Sequence, residues 1–345
     1  MKNTLGSFTA SKSTRNIKSR KGKSFGYQVL GFGSGGGGFT SICASGGNTI
    51  TEVGNYKIHI FTGPGTFTVN ALSSDPAADG LDYMVVAGGG GSGAGAGGAG
   101  GYRTSVDSSL VSASATGYPI TVGAGGTPGG SQATGSAGGD SVALSITSAG
   151  GAKGSVFSGG GNGFAGGSGG GAGGSPAGYS GGAGNTPPVS PSQGNAGGNS
   201  TANSPLTWNN QGGGGGAGGA GASSPGSSQG GAGSIVHAPV FGPAPQPFYA
   251  IAPGYYSAGG GANNGAQGFS IASQASGFGP TGPDSGIYGG RGGTNRANSP
   301  SAADKADGFP NSGGSGGGCA NAGAGPGISG AGGSGVVMIA YKLSV

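Results

Sequence analysis

Charge is scarce in this sequence, with Asp, Glu, Lys and Arg making up 7% of 345 residues, and cysteine is scarcer still, at two. Cys43 and Cys319 lie far apart and in no metal-ligand spacing, which argues against a disulfide framework and favours free thiols. No apolar run approaches the roughly 20 residues of a membrane-spanning helix. The first residues also lack the apolar stretch of a secretory signal, so export by the ordinary route is not expected. No segment carries helical periodicity. Hydrophobic residues amount to 32%, many of them alanines that bury little area, so the side-chain core must be small.

What is abundant is glycine, at 95 residues. Each glycine loses more backbone freedom on ordering than any other residue, about 1 kcal/mol beyond alanine, so something besides side-chain burial has to order the chain. Collagen would do this with glycine at every third position, but Gly-Gly pairs and longer runs break the triplet. Two readings remain: a disordered low-complexity chain, which composition alone favours, or left-handed polyglycine II helices hydrogen-bonded side by side. The interleaving of glycine runs with strand-like apolar segments argues for order. The tracts at 88–101, 159–174, 212–221, 313–318 and 330–335 are then rods, of about 30–50 Å for a tract of 10–16 residues at roughly 3.1 Å per residue.

Seven of the 14 basic residues fall in the first 23 positions, and the first acidic residue is Glu52. The pI near 9.2 therefore belongs to an N-terminal arm and not to the nearly neutral body. Residues 1–35 read as a basic anchor arm closing on the apolar stretch Phe25–Phe32. Arg15, Lys18, Arg20, Lys21 and Lys23, with Phe25, Tyr27, Leu30 and Phe32, are its candidate anchoring residues. Such an arm binds nucleic acid or docks on an acidic protein surface, and a solvated arm is the plain alternative.

A Gly/Ser linker follows at 36–54. Tyr56–Phe61 and Thr66–Val69 alternate around Thr62-Gly-Pro-Gly65, the pattern of a hairpin. Residues 81–87 are apolar enough to be buried on both faces, and 118–122, 142–146 and 336–341 are further strand candidates. The fold expected is mainly β: a small antiparallel sandwich beside a bundle of packed polyglycine II helices, with essentially no α-helix. It occupies 55–345, with inserted loops at about 175–211 and 234–257.

Thr66-Phe-Thr-Val69, Asp82-Tyr-Met-Val-Val-Ala-Gly-Gly-Gly-Gly91, Gly100-Gly-Tyr-Arg-Thr104, Ile120-Thr-Val-Gly-Ala-Gly-Gly126 and Gly332-Gly-Ser-Gly-Val-Val-Met-Ile-Ala-Tyr341, in this order, resemble the glycine-rich domain that recurs in tailed-phage fibre and virion proteins. The resemblance covers about 55–345. It implies a virion structural protein that docks on other virion proteins through its arm, trimerises, and contacts a host receptor, protein or glycan, through loops between tracts. Nucleic acid is not an expected partner on this reading.

Signatures of chemistry fail on inspection. Gly93-Ala-Gly-Ala-Gly-Gly98 matches a dinucleotide fingerprint after a strand, but no helix-forming sequence follows and glycine richness makes such matches common. Gly22-Lys-Ser24 has Ile17 where a phosphate loop needs glycine. The nine acids are scattered and the two histidines have no neighbouring ligands in sequence, so no catalytic, metal or cofactor residue is assigned and enzymatic activity is not expected. His59 reads as an exposed-face residue of its strand. Rigid aromatics among prolines, Trp208, Phe241, Phe248, Tyr249, Tyr255 and Tyr256, are the candidate host contacts. Their plain alternative is a local core at the end of the bundle. A decoration protein without receptor binding and an ice-binding or matrix protein are the competing readings of the whole chain.

Overall fold

The computed structural model describes residues 40–105, 108–130, 132–157, 161–174, 178–200, 211–223, 234–235, 255–262, 307–319 and 329–344. It is mainly β, and no α-helix occurs among the described residues. The strands are β1 (Cys43–Ser45), β2 (Thr49–Val53), β3 (Tyr56–Phe61), β4 (Gly65–Ala71), β5 (Gly80–Val86), β6 (Tyr102–Thr104), β7 (Val111–Ser112), β8 (Gly117–Ile120), β9 (Ser141–Ala143), β10 (Ile146–Ser148), β11 (Ser234–Ile235), β12 (Tyr255–Tyr256) and β13 (Val336–Lys342).

A six-stranded antiparallel sheet runs in the order β2-β3-β13-β5-β6, with β7 pairing beside β5, and β1-β4-β8 form a second sheet. The C-terminal strand β13 inserts between β3 and β5, so it is paired on both sides and buried on both faces. That accounts for its unbroken apolar run, because alternation is only required of a strand with one wet face. Its odd-numbered residues Val337, Ile339 and Tyr341 meet Leu81, Tyr83 and Val85 of β5, and Phe67, Val69 and Ile120 of the second sheet, in one core between the sheets. Its even-numbered Val336, Met338 and Ala340 join Ile58, Ile60, Met84 and Val86 on the opposite face, covered by Tyr102, Tyr256 and Ala217.

Three expectations change. Tyr56–Phe61 and Thr66–Val69 do not form a hairpin with each other: β3 pairs β2 and β13, whereas β4 pairs β1 and β8. The Gly-Pro-Gly segment is a corner that carries the chain from one sheet to the other, which lets Phe61 and Phe67 enter the same core. The true hairpin there is β2–β3, closed by Gly54-Asn55 with Gly54 at φ 58°. Its first strand, and β1 before it, arise in the stretch expected to be a linker. Residues 142–146 are likewise not one strand but the hairpin β9–β10, turned by Leu144 and Ser145 at φ 52° and 62°. Positive φ at both central residues is the turn that suits strand twist, normally left to Asn and Gly. Burial of the Leu144 side chain in the core offsets the cost here.

The glycine tracts adjoin the strands end to end. Gly88 closely follows β5, Gly101 precedes β6, Gly123 closely follows β8, Ala149 follows β10 and Gly335 precedes β13. The sandwich is thus one end of the bundle, and the tracts run away from it and return.

Candidate functional site

The bundle is built from backbone. Along the segment 88–93, successive amides point to different neighbours: Gly88 N–H donates to Gly139 O (3.0 Å), Gly89 to Gly333 (2.9 Å) and Gly90 to Gly98 (2.9 Å). The cycle then repeats three residues on, with Gly91 donating to Ser136, Ser92 to Gly330 and Gly93 to Gly95. The carbonyls follow the same period toward three further segments. Those of Gly88 and Gly91 accept from Gly151 and Gly154, those of Gly89 and Ser92 from Gly126 and Gly129, and those of Gly90 and Gly93 from Gly316 and Cys319. One segment is therefore ringed by six others, donating to three that run antiparallel and accepting from three that run parallel. A β-strand, with period two, reaches only two neighbours.

Such packing leaves no room for side chains where backbones touch. A Cβ built on Gly88, Gly90, Gly91 or Gly214 would overlap the carbonyl oxygen of Ala124, Ala152, Thr127 or Gly97 respectively. Where a backbone partner is missing, a polar side chain replaces it. Ser92 Oγ lies 2.6 Å from Gly317 O, Gln193 Oε1 accepts from Ala149 N–H at 2.8 Å, and Asn195 Nδ2 donates to Gly216 and Ala217 carbonyls at 2.9 Å. Sequence reasoning missed these tethers; isolated Gln and Asn beside glycine pairs were the available signal. It also misjudged rod length. Residues 88–101 fold back on themselves, Ala87 N–H bonding Gly101 O and Gly90 N–H bonding Gly98 O, so this tract makes two rods of about six residues each, or roughly 19 Å at about 3.1 Å per residue. The stretch 178–200, expected as part of an inserted loop, adds to the bundle as well: Gly182 N–H donates to Gly170 O at 2.8 Å and Gly197 N–H to Gly182 O at 2.9 Å.

The far end of the bundle is marked by the Gly93–Gly95 turn, by Cys319, whose amide donates to Gly93 O, and by Gln211, whose Nε2 donates to Cys319 O at 3.2 Å. Trp208, Phe241, Phe248 and Tyr249 lie outside the described residues, as do all nine anchoring candidates from Arg15 to Phe32. Gln211, at the far end, is three residues on from Trp208 in sequence. The stretch holding Phe241, Phe248 and Tyr249 is bracketed by β11 and β12 on the sandwich side. Tyr255 is part of β12. Tyr256 is fully buried against the six-stranded sheet, which makes it core and corrects its reading as a surface contact.

His59 is also corrected: it is fully buried, because β3 faces the second sheet on this side. Its ring packs edge-on against Phe67 at 5.1 Å, and burial lowers its pKa below 6.5, opposed by a hydrogen bond to Gly46. Burial raises the pKa of Asp82, while the Ser105 hydroxyl (2.9 Å) and Lys342 oppose the shift. A concavity of about 170 Å³ lies between β6 and the segment at Pro191 and Ser192. Tyr83 Oη there is hydrogen-bonded to Ser108 Oγ at 2.6 Å, and one Arg103 N–H donates to Thr147 O at 3.3 Å.

No curated protein matches the sequence. A family model for a glycine-rich domain matches residues 61–342, which take in every strand from β4 to β13 and every tract of the bundle. With its tracts and sheets joined in this way over most of its length, the chain belongs to the glycine-rich domain family.

Proposed function

We propose that the tracts are polyglycine II helices and that the protein is a structural component of a tailed-phage particle, a tail-fibre or adhesin component. The observation that carries the first part is the three-residue cycle of hydrogen-bond partners along 88–93, which a helix of three residues per turn produces and a strand does not. The second part rests on the resemblance of the ordered motifs and on polarity. The basic arm joins the fold at Thr40 beside β1, on the sandwich, while the tracts turn at the opposite end. An arm anchored in the particle would leave the far end facing outward. Trp208 then leads the contact candidates, and Phe241, Phe248 and Tyr249 follow.

The test is to delete residues 1–35 and image particles assembled with labelled protein. The proposal expects a folded body that no longer incorporates, and intact protein located on the tail or outer surface. Normal incorporation of the truncated chain would reject the anchor. Normal adsorption by particles carrying Trp208→Ala would favour decoration without receptor binding.

A further inference from the structure

β1 is three residues long and pairs only with β4, with a register break between Cys43 and Ala44. The segment is also held by Ile42 in the core, by Asn70 Nδ2 donating to Ser45 Oγ at 3.2 Å, by Asn48 N–H donating to Ile60 O at 2.7 Å, and by a pair of buried side chains on the other sheet. The Tyr341 phenol is buried in the core against which Ala44 packs, and its oxygen lies 3.4 Å from His59 Nε2. His59 Nδ1 lies 2.7 Å from Gly46 O. A carbonyl only accepts, so Nδ1 carries the proton and Nε2 is left to accept from the Tyr341 hydroxyl. The chain of bonds runs from the Tyr341 hydroxyl on β13 to His59 and from His59 to Gly46 O, so it ties the residue that follows β1 to the six-stranded sheet. Gly46 is fitted closely here, at φ 104° with no space for a Cβ beside the Thr66 carbonyl.

We propose that His59 and Tyr341 form a proton-sensitive latch that holds β1 and the Gly46-Gly47 crossover on the sandwich, and that protonation of His59 releases this edge. An imidazolium has two N–H donors. The new one at Nε2 meets the hydroxyl that had been donating to it, and the phenol's own proton loses its acceptor. The charge has little to balance it. β4 presents Phe67; Lys57 on β3 has the same sign; Glu52 on β2 is 3.6 Å from Lys57; Cys43 on β1 is exposed. Burial keeps His59 neutral while the latch is closed, whereas an opened His59 titrates near 6.5. Opening is therefore favoured as pH falls below 6.5, and the contribution of neutral His59 to closure is fully present above it. Release of β1 would bare the β4 edge.

Hydrogen exchange on the full chain at pH 7.5 and 5.0, corrected for intrinsic exchange rates, tests this. Peptides covering 40–48 should lose protection by up to about 30-fold at pH 5.0, the factor set by a free histidine of pKa near 6.5. Peptides covering β5 and β13 should keep theirs. His59→Gln, which retains a donor and an acceptor without titrating, should remove the pH step, and Tyr341→Phe should raise exchange of 40–48 at both pH values. Equal protection of 40–48 at both pH values, a loss shared equally by β5 and β13, or a step that persists in His59→Gln would each overturn the latch. If the variants do not fold, the wild-type comparison of 40–48 with β13 still decides.

Discussion

Gly214→Ala adds one methyl group to a tract, and its cost follows from what surrounds the site. The Gly214 amide donates to Gly260 O at 2.9 Å, and a Cβ at this position would overlap the Gly97 carbonyl oxygen. Both obstacles are backbone, so neither yields by rotamer change. At an unobstructed site, Gly→Ala stabilises by about 0.4–1 kcal/mol, because the unfolded chain loses freedom. Against this stand overpacking of about 1–3 kcal/mol and one or two weakened hydrogen bonds of about 1 kcal/mol each. The net expectation is a loss of roughly 1–4 kcal/mol. Gly63 supplies the control, since a Cβ there meets nothing within 4 Å and its φ is not positive. Gly63→Ala should be neutral or slightly stabilising. Thermal and denaturant melts of both variants check the pair, and equal stabilities for Gly214→Ala and Gly63→Ala would refute the close-packed bundle.

Three other outcomes are expected. Met338→Ala, in the strand paired on both sides, should cost about 2–5 kcal/mol by leaving a cavity beside Met84, measured by denaturant unfolding. Tyr256→Ala should cost about 3–5 kcal/mol in purified protein, with no cells needed to see it, because the ring is core. A thiol reagent at pH 8 should label exposed Cys43 and spare Cys319, whose thiol burial pushes up to about 12; mass spectrometry after unfolding should then show the second site.

The parts of the fold that were legible in the sequence are those whose burial is two-sided. β5 and β13 read as continuous apolar runs because each has a neighbour on both edges and cover on both faces. The errors fall where one local signal serves two topologies. Gly-Pro-Gly between two alternating segments marks a reversal, and nothing local says whether the second strand returns beside the first or crosses to the other sheet. Leu144 and Ser145 carry no turn signature, since their positive φ is sustained by the core around Leu144. The fold-back at Ala94-Gly-Ala96 is equally silent, because a tract of glycine and alanine reads the same whether straight or reversed. Among the contact candidates, Tyr256 misleads because a ring beside prolines looks like a loop residue, and its burial depends on a sheet face formed by residues 58–86 and 336–340.

The period-three bundle is tested most directly by scalar couplings measured across hydrogen bonds in labelled protein. Gly88, Gly89 and Gly90 amides should couple to the carbonyls of Gly139, Gly333 and Gly98, three partners on three different segments. Successive amides that alternate between two partners, as in a sheet, or that show no coupling at all, would contradict it.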